Sequence, residues 1–254
     1  LPSGSSSEER QAVKFRFMDA FLPHLDALRA EGRDIVSFSI GVPNFLPGDH
    51  VYAAVGFQPE ECGNYTSADL EQIRALALSC PKVVAIGEIG LDYYWHKEKE
   101  EHLLQQKVFR QQMDIAREKK LPFMIHSRDA AEDTLNIVKE YMKDGMYGGV
   151  IHCFSYSKEI AREYLNMGLY LGIGGVVTFK NSRKLKEVAE YAPLNQILLE
   201  TDCPYMAPVP NRGKRNSSLY LPEVVKTIAE IKGISCEEVV AVTESNALKV
   251  LNLI

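Results

Sequence analysis

Apolar residues along this chain fall into short unbroken runs, separated by longer stretches where they recur at helical spacing. The run Val83-Val-Ala-Ile-Gly-Glu88-Ile-Gly-Leu-Asp92 is apolar on both faces except at Glu88 and Asp92. That pattern predicts a strand buried within a parallel sheet. Three later runs end in the same way: Leu121-Pro-Phe-Met-Ile-His126-Ser-Arg-Asp129, Gly149-Val-Ile-His152-Cys-Phe154 and Ile197-Leu-Leu-Glu200-Thr-Asp202-Cys-Pro204. Each brings an acid or an imidazole to the point where a strand stops, a costly placement for a polar group unless it has work to do. Four such endings point to one site.

Between these runs the spacing predicts helices over about 11–31 (interrupted at Pro23), 67–79, 97–119, 131–143, 157–167, 181–191, 219–232 and 235–251. Further strands are expected at 34–41, 51–56 and 170–175, with a Pro/Gly-rich loop at 42–50. Ser67 opens its helix with Glu71 four residues on, close to a capping box. Alternating strands and helices define an α/β fold with a parallel sheet and right-handed crossovers. The polar endings come from several non-neighbouring strands, so a TIM-like (β/α) barrel with its site on the C-terminal face is expected over an open sheet, and 254 residues suit one such barrel. Residues 1–10 read as a flexible polar segment and 11–254 as a single domain.

Composition narrows the partners. The net charge of −5 excludes broad electrostatic attraction to nucleic acid, so any such contact must come from a local basic patch. The five cysteines are scattered without C-x-x-C spacing, which fits reduced thiols and a cytoplasmic location. No apolar run approaches the roughly 18 residues of a membrane span, and the first ten residues carry no signal-peptide core.

Glu88, His126, His152 and Asp202 together offer two imidazoles and two carboxylates. That set suits a divalent ion (Zn, Mg or Mn) with positions left for water and substrate. There is no Ser-His-Asp spacing and no glycine-rich phosphate loop, which leaves metal-activated water as the natural nucleophile. A bound ion lowers the water pKa to about 7, and a nearby carboxylate takes the proton.

Several motifs resemble those of TatD-type deoxyribonucleases, metal-dependent hydrolases of the amidohydrolase superfamily. They are Gly87-Glu-Ile-Gly-Leu-Asp-Tyr-Tyr94, Ile125-His-Ser-Arg-Asp129, His152-Cys-Phe-Ser155, Gly172-Ile-Gly-Gly-Val-Val-Thr-Phe-Lys180, Leu199-Glu-Thr-Asp-Cys-Pro-Tyr205 and Ala207-Pro-Val-Pro-Asn-Arg-Gly-Lys-Arg-Asn216. The resemblance runs from about residue 51 to the end. It implies a TIM-like barrel, one or two metal ions per chain, and hydrolysis of DNA phosphodiesters, commonly from the 3′ end. Carried over residue by residue, it makes Glu88 a bridge between two metals and gives His126 and His152 to the second metal. Asp202 becomes a ligand of the first metal and the general base. The rivals are hydrolysis of another ester or amide, and a non-catalytic remnant that binds metal or nucleic acid.

The first fifty residues depart from the family. Its opening strand carries a His-x-His pair that binds the first metal, and no His-x-His occurs in this sequence. On this reading the first barrel strand is missing or replaced, the Glu88/His126/His152 site is intact, and nuclease activity is weak or absent with at least one metal retained. A strand-deficient barrel exposes an edge, which either the N-terminal segment patches or a homo-oligomer partner covers. Leu22-Pro-His24-Leu-Asp26 echoes the tail of the missing motif within a helical pattern. Residues 28–45 faintly resemble the N-terminal stretch of pyridoxal-phosphate aminotransferases, with no cofactor-lysine motif beside them. Gln58-Pro59 stands where the family often has His-Pro.

Basic and aromatic residues complete the candidate list. Arg128 reads either as a substrate-phosphate ligand or as an ion-pair partner within its loop. Arg212, Lys214 and Arg215 are the best basic patch for a nucleic-acid backbone, with a solvated charged loop as the alternative. Lys180, Arg183, Lys184 and Lys186 read as the exposed face of a helix. Tyr93, Tyr94 and Trp95 would either stack on bases or pack as a rim. Strand alternation points Cys153 and Cys203 into packing, away from the site.

Overall fold

The computed structural model describes residues 52–253. Its six strands are β1 (Ala53–Val55), β2 (Val83–Asp92), β3 (Phe123–Arg128), β4 (Gly149–Ile151), β5 (Tyr170–Ile173) and β6 (Ile197–Leu199). Seven α-helices alternate with or follow them: α1 (Ser67–Ser79), α2 (Lys99–Lys119), α3 (Ala131–Lys143), α4 (Lys158–Asn166), α5 (Arg183–Tyr191), α6 (Leu221–Lys232) and α7 (Cys236–Val250). All pairings are parallel and the strand order is β1-β2-β3-β4-β5-β6. A doubly wound sheet reverses its order at a switch point, whereas a barrel sheet never does. The unreversed order is therefore that of a (β/α) barrel. Among the described residues no strand covers the outer edge of β1 or β6.

Burial explains why apolar runs became strands. Ile86, Ile89, Leu91, Ile125, Ile151, Leu171, Ile173 and Ile197 are fully buried, as a sheet wrapped by helices requires. The helices supply Phe109, Met113, Val138, Tyr164, Val188, Ile228 and Val239 to the same core. No described helix is long and apolar enough to cross a membrane.

β2 carries the decisive irregularity. Its register with β3 shifts between Ile86 and Ile89, so Gly87 and Glu88 sit in a bulge. Bulges re-aim side chains beside functional sites. Both flanking glycines are sterically required. A Cβ on Gly87 would lie 2.5 Å from Met124 Cβ, and one on Gly90 would lie 2.0 Å from the His126 carbonyl oxygen. Gly90 also has φ of +139°, which side-chain-bearing residues rarely adopt.

Two buried glutamines on α2 fix where these strands end. The Gln105 side chain accepts from the Asp92 amide at 2.9 Å and donates to the Asp92 carbonyl at 3.0 Å. Gln112 repeats the pattern on Phe57, just past β1, at 2.6 and 3.0 Å. Each replaces a missing strand partner with a two-bond clasp.

Some expectations need correction. The α1 cap is Thr66, one residue earlier than expected, and its box partner is Asp69, whose carboxylate accepts from the Thr66 amide at 2.8 Å. Asp is a shorter reach-back acceptor than the expected Glu71 and sits at the third helical position. β6 stops at Leu199, so Asp202 stands in the turn beyond it with φ of +50°. Cys203 is exposed and Cys153 lies against the site carboxylates, because neither is in a strand and period-2 alternation does not apply. The helix expected at 11–31, the strand at 34–41, the loop at 42–50 and His24 lie outside the described residues.

Candidate functional site

The four apolar runs deliver their polar endings to one place, the C-terminal edge of the sheet. Glu88 comes from the β2 bulge, His126 from β3, His152 directly follows β4, and Glu200 and Asp202 follow β6. Asp92, the last residue of β2, joins them.

His126 lies between two carboxylates. Its Nδ1 donates to Glu88 Oε1 at 2.9 Å and its Nε2 donates to Asp92 Oδ2 at 2.9 Å. Burial opposes a charge on this ring, but the two acceptors outweigh it and raise the pKa to about 9. The same bonds, against the opposing effect of burial, hold Glu88 and Asp92 below the usual carboxylate range. Gln58 completes this half by donating to Glu88 Oε2 at 3.1 Å.

His152 faces three acids. Nδ1 donates to Glu200 Oε2 at 2.6 Å, while Nε2 is 3.4 Å from Asp202 Oδ1 and 3.8 Å from Glu88 Oε1. Burial again opposes the charge, and Glu200, Asp202 and Glu88 override it, so its pKa is raised well above the ordinary value. The thiol of Cys153 is pushed up by burial and by the same three carboxylates.

Whether this set suits a cation is decided by its charge and by one atom. Glu88, Asp92, Glu200 and Asp202 place four acids around two imidazoles. Glu200 Oε1 is buried and has no hydrogen-bond partner among the described residues. A Cβ on Gly172 would lie 2.5 Å from Glu200 Oε2, so the glycine leaves room for that carboxylate to press into the site. Excess buried negative charge with an unsatisfied oxygen calls for a cation, and mixed carboxylate and imidazole donors fit a divalent one. No three His, Cys, Asp or Glu groups among the described residues already converge on one point as ligands. The imidazole nitrogens are turned onto carboxylates instead.

The other sequence candidates scatter around the mouth. Arg128 is exposed at the end of β3 and stacks on Tyr94, 3.9 Å from the ring centroid. Among the described residues it forms no ion pair, so of its two readings the ion pair within the loop is not the one seen. Arg212, Lys214 and Arg215 are exposed, with Arg212 4.3 Å over the Phe179 ring. Their loop is tied to the Asp202 turn, since the buried Asn216 donates its side-chain amide to the Thr201 carbonyl and its backbone amide to the Pro204 carbonyl. Lys180, Arg183, Lys184 and Lys186 do not enter the cluster. Sequence reasoning quoted Asp92 and Glu200 within motifs without giving either a role. The signal was present in both, a carboxylate closing an apolar run.

A barrel-ordered parallel sheet with buried acids and imidazoles at its C-terminal edge defines the class of metal-dependent hydrolases. Residues 47–252 match the family described as TatD related DNase. Similar proteins include the uncharacterized metal-dependent hydrolase YabD of Bacillus subtilis (strain 168), 45% identical over 205 residues, spanning 81% of this chain and 79% of that one. The 3′-5′ ssDNA/RNA exonuclease TatD of Rahnella sp. (strain Y9602) is 33% identical over 210 residues, spanning 81% and 78%. Among solved structures, YjjV, a TatD homologue from Escherichia coli K12, superposes with a TM-score of 0.73 at 29% identity, covering 80% of this chain and 77% of that one. The chain belongs to the TatD family of metal-dependent hydrolases.

Proposed function

We propose that the chain hydrolyses phosphodiester bonds in single-stranded nucleic acid, DNA first, at the cluster around Glu88. The observation that carries this is the convergence of Glu88, His126, His152, Glu200 and Asp202, with one buried oxygen left without a partner among the described residues. Support for the substrate comes from the family description and from the exonuclease named among the relatives.

Glu88, His126, His152 and Asp202 would hold the divalent ion, Zn, Mg or Mn. When bound, it supplies positive charge to the developing phosphorane and acidifies water. Asp202 accepts the proton of the attacking water; it is the acid nearest the open side of His152 and is not committed to a bond shorter than 3.4 Å. Glu88 sits between the two imidazoles, bonded to His126 and 3.8 Å from His152 Nε2, and Glu200 orients the second ring. Arg128 and the Arg212/Lys214/Arg215 loop take backbone phosphates, giving a protein of net charge −5 a local basic surface for a polyanion.

The test is hydrolysis of an end-labelled single-stranded oligonucleotide with added Mg²⁺, Mn²⁺ or Zn²⁺. Weak turnover is expected, as the missing His-x-His pair implies, and Asp202→Asn should lower kcat by a further factor of about 10²–10⁴. No cleavage with any of the three ions overturns the reading in favour of a non-catalytic binder. Turnover of lactones or amides in place of DNA overturns it in favour of another hydrolase.

A further inference from the structure

Beyond β2 the chain turns through Tyr93, Tyr94 and Trp95, and the three aromatics have different fates. Tyr93 is committed to packing. Its ring stacks on His102 with centroids 3.6 Å apart, and its hydroxyl donates to Asp133 at 2.8 Å. Tyr94 and Trp95 are instead 42% and 64% exposed, with centroids 4.7 Å apart and planes at 87°. The Arg128 guanidinium lies 3.9 Å from the Tyr94 centroid and 5.6 Å from that of Trp95. An exposed indole beside a cation with no carboxylate partner among the described residues is a surface with binding capacity left over.

The turn is also fastened to the site. Asp92 Oδ1 accepts from the amides of Tyr94 at 2.9 Å and Trp95 at 3.3 Å, while Oδ2 accepts from His126 Nε2 at 2.9 Å. One fully buried carboxylate therefore positions both an imidazole of the reactive cluster and the aromatic pair.

We infer that Tyr94, Trp95 and Arg128 form a nucleotide subsite beside the scissile bond. Trp95 stacks on an unpaired base and Arg128 takes a neighbouring phosphate. The inference rests on the nucleic-acid reading above and deepens it by naming what engages the base. Stacking on an indole accepts any base sequence but needs an open base face, so the subsite selects single strands over duplex.

Trp95 is the only tryptophan in the chain, so fluorescence excited beyond the absorption of the twelve tyrosines reports this position alone. The probe is oligothymidylate, titrated with Mg²⁺ into the Asp202→Asn protein. Saturable quenching is expected, with none from an abasic oligomer of equal length. In the otherwise wild-type chain, Trp95→Ala should raise KM for oligothymidylate about tenfold with a smaller change in kcat, and Trp95→Phe should recover most of the loss. Arg128→Ala should weaken binding and reduce its salt dependence. Cleavage of oligothymidylate without quenching, or with KM unmoved in Trp95→Ala, overturns the subsite and leaves the nuclease reading standing. Quenching without cleavage by the wild-type chain keeps the subsite and removes the nuclease reading. Neither quenching nor cleavage removes both.

Discussion

The two imidazoles sit in the same cluster and are satisfied very differently. Around His126 every hydrogen-bonding group is matched: both nitrogens have carboxylate partners at 2.9 Å, Gln58 covers the second oxygen of Glu88, and Asp92 also accepts from two backbone amides. Around His152, among the described residues, only the Glu200 bond is short, Asp202 and Glu88 stand 3.4 and 3.8 Å from Nε2, and Glu200 Oε1 has no partner. The first half is closed and the second open. A closed half holds its geometry without help, whereas an open half with surplus negative charge is completed by what binds there. The comparison gives the β2–β3 side pre-positioned ligands in Glu88 and His126, and leaves the unfilled part of the site to the β4–β6 side around His152, Glu200 and Asp202.

Among the described residues Glu88 is the only carboxylate that faces both rings, so its removal should erase the distinction and have the largest effect. Glu88→Ala is expected to lose bound metal and, through several kcal/mol of lost charge stabilisation, about 10³ in kcat. Metal content per chain, measured with turnover, checks both. A variant that keeps its full metal complement would show that the two halves do not share this group.

A smaller effect should separate the halves. Glu200→Gln sits on the open side and should weaken metal affinity about 10–100-fold, the cost typical of groups that orient a ligand histidine. Asp92→Asn, on the closed side, should cost less metal and more order, seen as a lower melting temperature and altered Trp95 emission, because Asp92 also holds the Tyr94–Trp95 turn. Equal losses of metal affinity in the two variants would break the comparison. Calorimetric titration with Mn²⁺ decides it.

Much of this architecture could be read from the sequence. Strands buried on both faces leave unbroken apolar runs, so β2, β3, β4 and β6 and their polar endings are legible in the sequence, which is enough to place Glu88, His126, His152 and Asp202 together. What could not be read depends on partners distant in the chain. Asp92 and Glu200 looked like motif residues until the fold set them against His126 and His152, 34 and 48 positions away. Gln105 and Gln112 lie in a helix rich in polar residues, and nothing in the sequence marks them as buried clasps of two strand ends. The bulge at Glu88 has a sequence trace only in its glycines. Cys153 was misdirected because β4 ends at Ile151, and alternation holds only inside a strand.

The smallest and most diagnostic effect concerns protons in chelator-treated protein. The folded pKa of His126 is about 9 against an ordinary 6.5. A raised value means that the stabilisation is fully present below about pH 6.5 and is lost as pH rises through about 9. His152 is shifted in the same direction. Glu88 and Asp92 are depressed, so their contribution is present above their ordinary values and is lost as pH falls below them. The chelated protein should therefore melt highest between about pH 5 and 6.5 and lose several degrees by pH 9.5. Added Mg²⁺ or Mn²⁺ should restore the melting temperature at the alkaline end, because cations and ring protons compete for the same carboxylates. Scanning calorimetry across pH, with and without the ion, reads this directly. A flat profile from pH 6.5 to 9.5 in chelator would mean that His126 carries no charge between Glu88 and Asp92, and the closed half would then owe its order to packing alone.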